Sequence, residues 1–442
     1  MRLKIVSLIL ILTMTVSLVS CSKNLGPETI PSTTLPPTTE STEPTETSAT
    51  EPTETEPLGP EPTSVPVVNK MPVKTYGMLY VVNGQLTTKT KTPVVLRGMS
   101  SDVLSECQGF FGAETVKTLA EDWGVEVIRV AVPADNVDES YIKNAEKYFK
   151  QTCEIIDLCI KQGIYVIVDW HISANGNPLA YQKKAVEFFT RIAGVYADSP
   201  NVIYEICNEP NGTRTEKTKN KTKKVAVDWD KTVKPYAEAV IKSIRAIDKD
   251  NIIIVGTSDY SRDIDKAANN PIKGVNICYS VHFNASSDGD ELRNKITEAK
   301  SKGLCVVATE WKTTDSSGVA APHAENSTKW LDFLDENKIS WCNSYIGGNN
   351  STTSNALIFG GERYTLEDIF AGHWPHGLLS ESGLIVRNRL LAAKGTEQPE
   401  VKPEDMPTEF PDDYPTDETG ASGDTGDSGD LPDDYNDDKP EA

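Results

Sequence analysis

The stretch of sequence that decides the fold is NVIYEICNEP, residues 201–210. It begins as a short apolar run with β-branched side chains, which is typical of a strand, and it closes on Asn208, Glu209 and Pro210. About a hundred residues downstream, LCVVATEW, residues 304–311, repeats the arrangement and brings Glu310 to the end of a second run. The chain therefore places two carboxylates, each at the downstream end of a predicted strand.

The same alternation of short β-branched runs and amphipathic stretches extends from about residue 70 to residue 396. We predict strands over residues 93–97, 125–132, 164–171, 202–207, 251–255, 276–283, 304–310 and 339–346. We predict helices over residues 114–123, 141–162, 182–196, 232–248, 262–269, 291–302, 328–337 and 380–393.

Eight strands, each followed by a helix, favour parallel pairing through crossover connections. A segment of about 325 residues with this order fits an α/β fold of the (β/α)8 TIM barrel type. An open doubly wound sheet is the alternative, but RGMSS, residues 97–101, is not a dinucleotide-binding loop. The connection over residues 347–379 is long, which is typical of a loop that shapes a binding cleft.

The ends of the chain have a different composition. Residues 1–20 combine a basic start with a short apolar stretch and predict an export signal. The following Cys21 completes a pattern that resembles a bacterial lipobox, which implies cleavage before Cys21 and a lipid on its sulfur. The alternative is an ordinary secretory signal. We predict a Pro/Thr/Glu-rich disordered linker over residues 21–70, a barrel domain over 71–396 and a disordered acidic tail over 397–442.

The charge of the chain comes from its ends. The net charge is −21, but residues 24–69 carry eight acidic and no basic residues, and residues 397–442 carry 17 acidic and two basic ones. With the three basic residues before residue 24, this leaves −1 for residues 70–396. A nearly neutral domain without a basic stripe does not predict a nucleic-acid partner. The long linker favours a monomer. The lipobox-like pattern predicts that this monomer is anchored to the outside of the cell membrane.

Eight cysteines could indicate a disulfide framework, but their positions argue against one. Four of them fall within or beside predicted strands, and two share one predicted helix. We therefore predict core thiols, which behave as small apolar side chains. A disulfide stays open, because exported proteins can form them.

Polar side chains recur at the downstream ends of the predicted strands, which meet at one mouth of a barrel. No His-x-His or His-Glu-x-x-His spacing predicts a metal site, and no Gly-rich loop predicts a phosphate site. Two carboxylates facing each other across the mouth fit glycoside cleavage, with retention if they are about 5 Å apart. The predicted site residues are Arg129, His171, Asn208, Glu209, His282 and Glu310.

Five segments resemble glycoside hydrolase family 5 and, within it, its bacterial endo-β-1,4-glucanases (cellulases). They are VIRVA at 127–131, IVDWH at 167–171, VIYEICNEPNG at 202–212, YSVHF at 279–283 and ATEW at 308–311. The resemblance implies a hydrolase of β-glucan polysaccharides that needs no cofactor. It implies that Glu209 is the general acid/base, that Glu310 is the nucleophile and that Arg129 keeps Glu310 ionised. Asn208, His171, His282 and Trp311 would contact the sugar or orient the carboxylates.

Four positions depart from the family pattern. Asn284 stands where relatives carry a Tyr that donates to the nucleophile, and Ser344 stands where they carry a Trp floor for the sugar. Asp102 replaces a His, and Lys312 replaces a small residue. We expect the missing Tyr to raise the pKa of Glu310. Tyr345, or Trp374 and Phe370 from the long last loop, could replace the floor, and Phe110 and Phe111 could supply a remote platform. A hydrolase for another β-glycan and a surface glycan-binding lipoprotein with little turnover remain alternatives.

Overall fold

The computed structural model describes residues 71–107, 109–135, 139–173, 175–219, 221–347, 352–358 and 364–395. The predicted signal at 1–20, the lipid site Cys21, the linker at 21–70 and the tail at 397–442 lie outside the described residues. These four stay predictions. No helix among the described residues is both long enough and apolar enough to span a membrane.

Eight parallel strands close into a barrel, in which each strand pairs with its neighbours in chain order and the last pairs with the first. This confirms the predicted (β/α)8 fold. The strands are β1 (Arg97–Ser101), β2 (Val127–Pro133), β3 (Tyr165–His171), β4 (Val202–Glu205), β5 (Ile253–Val255), β6 (Ile277–Asn284), β7 (Val306–Lys312) and β8 (Ser340–Ile346).

A helix follows each strand, because parallel neighbours require a crossover connection. These helices are α1 (Ala113–Glu121), α2 (Ala145–Gln162), α3 (Gln182–Tyr196), α4 (Lys234–Ile247), α5 (Ile264–Asn269), α6 (Asp290–Ser301), α7 (Ala324–Glu336) and α8 (Glu381–Ala392). Their bounds agree with the predicted helices to within a few residues.

The predicted first strand is wrong in position, because β1 begins where the prediction ends. Residues 93–96 instead lie below the barrel, where Val94 donates its N–H to Leu86 O at 2.8 Å. The run RGMSS, residues 97–101, does not have a strand-like composition, because the neighbouring strand β2 lies too close to Gly98 for a larger residue. A Cβ on Gly98 would lie 1.7 Å from the carbonyl oxygen of Val127, so only glycine fits between β1 and β2.

The N-terminal end of the barrel is closed by a short helix, Pro72–Tyr76, and by a hairpin of strands Tyr80–Val82 and Gln85–Thr87. Leu79, Leu86 and Leu96 pack there against the lower barrel interior. The seven cysteines in the described part of the chain are all free, and six of them are buried. The prediction of core thiols is therefore confirmed for these seven.

Inward-facing positions alternate along each strand, and this alternation divides the barrel interior into two layers. The lower layer is apolar and includes Val127, Ile167, Ile203 and Val307. Two residues further along the same strands, the upper layer contains buried polar and charged side chains. These are Arg129, Asp169, Glu205 and Thr309.

Candidate active site

The centre of the polar layer is Arg129 on β2, whose side chain is fully buried. Its guanidinium donates to Glu205 Oε2 at 2.7 Å and to Glu310 Oε2 at 3.1 Å, and it lies 2.9 Å from Asp169 Oδ2. A buried guanidinium is stable only when its donors meet acceptors, and three carboxylates satisfy that need. Arg129 therefore links β3, β4 and β7 at one depth of the barrel.

Sequence reasoning missed two members of this cluster, Asp169 and Glu205. Both side chains are fully buried. A signal for them was present, because acidic residues inside apolar strands are seldom buried without a partner. Their spacing from Ile167 and Ile203 also places them on the inward face of β3 and β4.

Glu310 lies at the end of β7 with its side chain 14 % exposed. Burial alone would raise its pKa, but Arg129 and Lys312 outweigh burial and hold the pKa of Glu310 far below its usual range. Lys312 Nζ is 3.9 Å from Glu310 Oε1, the oxygen that Arg129 does not engage. The effect that we expect from the missing Tyr stays a prediction, and in this structure Lys312 supplies positive charge to the same carboxylate.

Glu209, the residue just after Asn208, makes its close contact with His282 on β6. His282 Nδ1 is 2.9 Å from Glu209 Oε1, and its Nε2 is 2.9 Å from Thr309 Oγ1. Thr309 donates its hydroxyl hydrogen to Glu205, so it accepts from His282. Burial lowers the pKa of His282, but Glu205 and Glu209 outweigh it and raise that pKa to about 9. His282 is thus a cation at neutral pH and donates to Glu209.

Asn208 and His171 form the opposite side of the cluster. Asn208 Oδ1 accepts from Arg129 at 2.7 Å, which turns its amide nitrogen toward His171 Nε2 at 3.3 Å. His171 Nδ1 is 2.8 Å from Asp169 Oδ2. Asp169 therefore orients His171, which orients the Asn208 amide next to Glu209.

The two candidate catalytic carboxylates face each other across a cavity of about 350 Å³. One side-chain oxygen or nitrogen of each of Glu209, His282 and Glu310 lies within 4.8 Å of the other two. Such a trio could offer ligands to a metal, but Arg129 and Lys312 already engage Glu310, and His282 is cationic. The separation instead matches the short distance of retaining glycosidases, about 5 Å.

An exposed aromatic side chain that sequence reasoning missed also lines the cavity. Tyr260 is 49 % exposed and follows β5 in a turn where Asp259, Tyr260 and Ser261 all have φ between 56° and 58°. Left-handed backbone is costly for these residue types, so the surroundings must hold it. Ser261 Oγ donates to the carbonyl oxygen of Asn208 at 2.8 Å, which fixes the turn beside Glu209.

The prediction that Trp311 contacts substrate is corrected by its burial. Its side chain has no exposed surface and stacks on Phe283 at a ring distance of 5.5 Å. Because successive strand residues point to opposite faces, Trp311 points outward into the helix layer when Glu310 points to the mouth. Trp311 therefore supports β7 from behind.

Most of the aromatic residues predicted to replace the floor or to form a remote platform are also buried. Phe110, Phe111 and Trp374 are at most 6 % exposed, and Phe110 packs on Trp374 at 5.9 Å. Phe370, which is exposed, lies against Phe110 in the same cluster, and Tyr345 is 8 % exposed. The predicted replacement of the floor by Trp374 and the predicted remote platform of Phe110 and Phe111 are therefore wrong.

Charge is paired around the nucleophile. The carboxylates of Asp169, Glu205 and Glu310 lie among the cations Arg129, His282 and Lys312. Buried charge is tolerated only when it is paired, so each of these groups stabilises its neighbours. Acid-assisted nucleophilic attack requires an ionised nucleophile opposite a group that can give up a proton.

Comparison with known proteins agrees with this geometry. Residues 87–350 match the family model described as cellulase (glycosyl hydrolase family 5). The chain is 39 % identical over 322 residues to an endoglucanase of Clostridium saccharobutylicum, covering 73 % of this chain and 67 % of that protein. It is 37 % identical over 329 residues to endoglucanase N of Pectobacterium atrosepticum, covering 74 % of this chain and 69 % of that protein.

A solved structure shows the same fold. The crystal structure of the catalytic domain of Thermobifida fusca endoglucanase Cel5A superimposes with a TM-score of 0.63 at 32 % identity, covering 72 % of this chain and 99 % of that domain. The matched family, the identity to its members and the parallel barrel lead to one conclusion. The chain belongs to glycosyl hydrolase family 5 and is a glycoside hydrolase.

Proposed function

We propose that the protein is a retaining endo-β-1,4-glucanase, with Glu310 as nucleophile and Glu209 as general acid/base. The observation that carries this proposal is the facing pair of carboxylates: Glu310 is ionised by Arg129, and Glu209 lies within 4.8 Å of it and is hydrogen-bonded to His282. The relatives named endoglucanases support the substrate class.

In the first step Glu310 attacks the anomeric carbon. Arg129 holds Oε2, which leaves Oε1 free to form the bond to carbon. Glu209 gives its proton to the departing glycosidic oxygen, so the leaving sugar departs as an alcohol. A covalent glycosyl–Glu310 ester remains.

In the second step Glu209 acts as a base. It takes a proton from a water molecule that attacks the same anomeric carbon, and the bond to Glu310 breaks. Each step inverts the configuration at the anomeric carbon, so the two steps together retain it. His282 donates to Glu209 while Glu209 is ionised, and Arg129 with Lys312 stabilises the Glu310 carboxylate as it leaves.

Sugar contacts differ on the two sides of the cleaved bond. Tyr260 presents an exposed ring next to Glu209, the group that protonates the leaving sugar, so we assign it to the leaving-group side. On β8, Ser344 offers no ring on which the attacked sugar could stack. This observation favours the second candidate function, hydrolysis of a β-glycan other than plain cellulose.

We also propose that the protein acts at the cell surface, anchored by lipid at Cys21. The lipobox-like end of the export signal supports this placement. The test is metabolic labelling of the full chain with a fatty acid in the native cell, with Cys21→Ala as the control. We expect label in the wild type and none in Cys21→Ala, and an unlabelled wild type would contradict the anchor.

The catalytic test uses the full chain with Glu310→Gln and Glu209→Gln. Reducing ends are measured on a panel of soluble β-glucans, xyloglucan and mannan. We expect both variants to lose at least about 10³-fold in kcat. Wild-type activity no higher than that of Glu310→Gln on every glycan, with binding intact, would establish the binding-protein alternative instead.

Azide rescue separates the two roles. With an activated aryl β-glycoside, Glu209→Ala should give a β-glycosyl azide, because azide attacks the ester on Glu310. Glu310→Ala should give the α-glycosyl azide, because azide replaces the nucleophile. Reversed products, or inversion of the anomeric centre in the wild-type NMR time course, would refute the assignment.

A further inference from the structure

The connection after β4 carries a feature that the proposed mechanism does not use. Four residues after Glu209, the chain forms an antiparallel hairpin of strands Thr213–Thr218 and Lys221–Ala226, with Thr213 opposite Ala226. Connections that follow barrel strands lie at the C-terminal end, so the hairpin rises on the catalytic face. We call residues 213–226 the basic hairpin.

The basic hairpin concentrates positive charge. Residues 213–226 contain one arginine, five lysines and one glutamate, a net charge of +5 in a folded segment, residues 70–396, whose total is −1. The rest of that segment therefore has a net charge of −6. Like charges on adjacent strands repel each other. This repulsion destabilises the hairpin, and a bound anion would reduce it.

Charge is paired at the base of the hairpin and left open further out. Arg214 contacts Glu216 at 2.5 Å and Asp228 at 3.2 Å. In contrast, Lys217, Lys219, Lys223 and Lys224 are exposed and form no ion pair with any described residue. The salt bridges fix the base, and the outer lysines are presented to solvent.

The hairpin is mostly exposed to solvent. Its outer strand, Lys221–Ala226, is exposed at five of six positions, so it buries little apolar surface. An isolated hairpin is marginal in water and depends on its attachment. Val227 N donates to Gly212 O at 2.8 Å, and Asn177 Nδ2 donates to Thr213 O at 3.2 Å. These bonds attach the hairpin to the rim beside Glu209.

The cavity itself also contains positive charge. Lys312 and Arg262 both line it, and Lys312 is 26 % exposed. Arg262 is held by Asp288 at 2.6 Å. Cationic side chains therefore lie both in the catalytic cavity and on the basic hairpin.

We propose that the basic hairpin binds a carboxylate-bearing β-glycan, such as one carrying uronic acid units, and holds it across the cleft. This inference rests on the proposed hydrolysis of β-glycans and names the substrate class. A polyanion held by the outer lysines is presented to Glu209 and Glu310, because the hairpin leaves the barrel four residues after Glu209. A nucleic acid is disfavoured, since residues 213–226 offer no aromatic side chain on which bases could stack.

The test compares two soluble derivatives of one backbone, anionic carboxymethylcellulose and uncharged hydroxyethylcellulose. The variant is K217Q/K219Q/K223Q/K224Q in the full chain. The matched control is K74Q/K89Q/K91Q/K338Q, which removes four exposed lysines near the opposite end of the barrel. The kcat and KM values are measured for both polymers from 20 to 300 mM NaCl.

We expect the hairpin variant to raise KM for carboxymethylcellulose by about tenfold at low salt, with kcat within about twofold, because charge pairing acts mainly on association. KM for hydroxyethylcellulose should not change, and the control should match wild type. The salt dependence of wild-type KM on the anionic polymer should largely disappear in the variant.

Equal effects on both polymers, or the same effect from the control, would overturn the inference. Loss of binding to single-stranded DNA with unchanged KM for the anionic glycan would also overturn it. These results are distinct from a failure of the proposed function, in which wild type and Glu310→Gln would hydrolyse hydroxyethylcellulose equally slowly.

Discussion

Lys312 brings a second positive charge, beside that of Arg129, to the carboxylate of Glu310. Its ammonium is 3.9 Å from Glu310 Oε1, the oxygen left free by Arg129. We predict that Lys312→Gln raises the pKa of Glu310 and moves the acidic limb of kcat/KM to higher pH. Because Lys312 is 26 % exposed, solvent screens the pair, and we expect an effect of about 1 kcal/mol.

Lys312→Arg is the matched control, since it keeps the charge. We expect its acidic limb to stay near that of wild type. A purely structural role for Lys312 would lower kcat in both variants without moving either limb, and that outcome would contradict the electrostatic role.

Asp102 gives a prediction about how the stability of the fold depends on pH. Burial raises the pKa of Asp102 to about 6, against the hydrogen bond from Val103 N–H. The folded state then binds more protons than the unfolded state between about pH 4 and 6, so this group lowers stability as pH rises through that window. The full cost, about 3 kcal/mol, applies above pH 6.

We therefore predict that Asp102→Asn stabilises the protein at pH 7 and has little effect at pH 4. The amide oxygen can still accept from Val103, so the local turn is kept. Urea unfolding at both pH values measures the difference. Equal changes at pH 4 and pH 7 would show that Asp102 is not protonated near pH 6 in the fold.

At the residue scale, sequence predicted the convergence of Arg129, Asn208, Glu209, His282 and Glu310, because each follows a recognisable strand. To predict Asp169 and Glu205 as members of the site, one must also know which face of β3 and of β4 points into the barrel. The prediction for Trp311 is wrong because successive strand residues point to opposite faces, so Trp311 cannot share the site with its neighbour Glu310.

At the scale of elements, the left-handed turn after β5 decides where Tyr260 lies. We predict that Tyr260→Gly raises KM severalfold, because a sugar on the leaving-group side loses its aromatic contact. Asp259→Gly is the matched control, because it relaxes the same turn and keeps the ring. It should raise stability by about 0.5–1 kcal/mol and leave KM unchanged.

Kinetics on soluble β-glucan and thermal melts measure both variants. If Asp259→Gly raises KM as much as Tyr260→Gly does, the turn geometry and not the ring carries the effect. This turn was not predictable from sequence, because neighbouring contacts hold three non-glycine residues in a conformation that local propensity disfavours.

Strand β1 shows the same limit. Its sequence RGMSS has no apolar alternation, and its place in the barrel depends on Gly98 fitting against Val127. The hairpin at residues 213–226 was also missed, since threonine and lysine do not mark a buried strand. The positions of β1 and of this hairpin depend on contacts with neighbouring segments and not on their own sequence pattern.

For the whole molecule, we predict that reducing agent does not change thermal stability. The seven cysteines of the described residues are free, although Cys278 and Cys305 lie side by side on β6 and at the start of β7. Melting with and without dithiothreitol should give the same Tm. A lower Tm with dithiothreitol, absent in C278S/C305S, would reveal a disulfide between them.

The sequence by itself determined the parallel barrel, the order of its elements and the pair Glu209 and Glu310, because hydrophobic periodicity and strand ends are local properties of the chain. Only the tertiary structure decided which charges meet. Barrel closure brings Arg129 to Glu310 and brings Asp169 and Glu205 to Arg129, while Lys312 reaches Glu310 from the end of the same strand. The energy of a charge depends on burial and on partners distant in sequence, so the ionisation of the nucleophile is a property of the closed barrel.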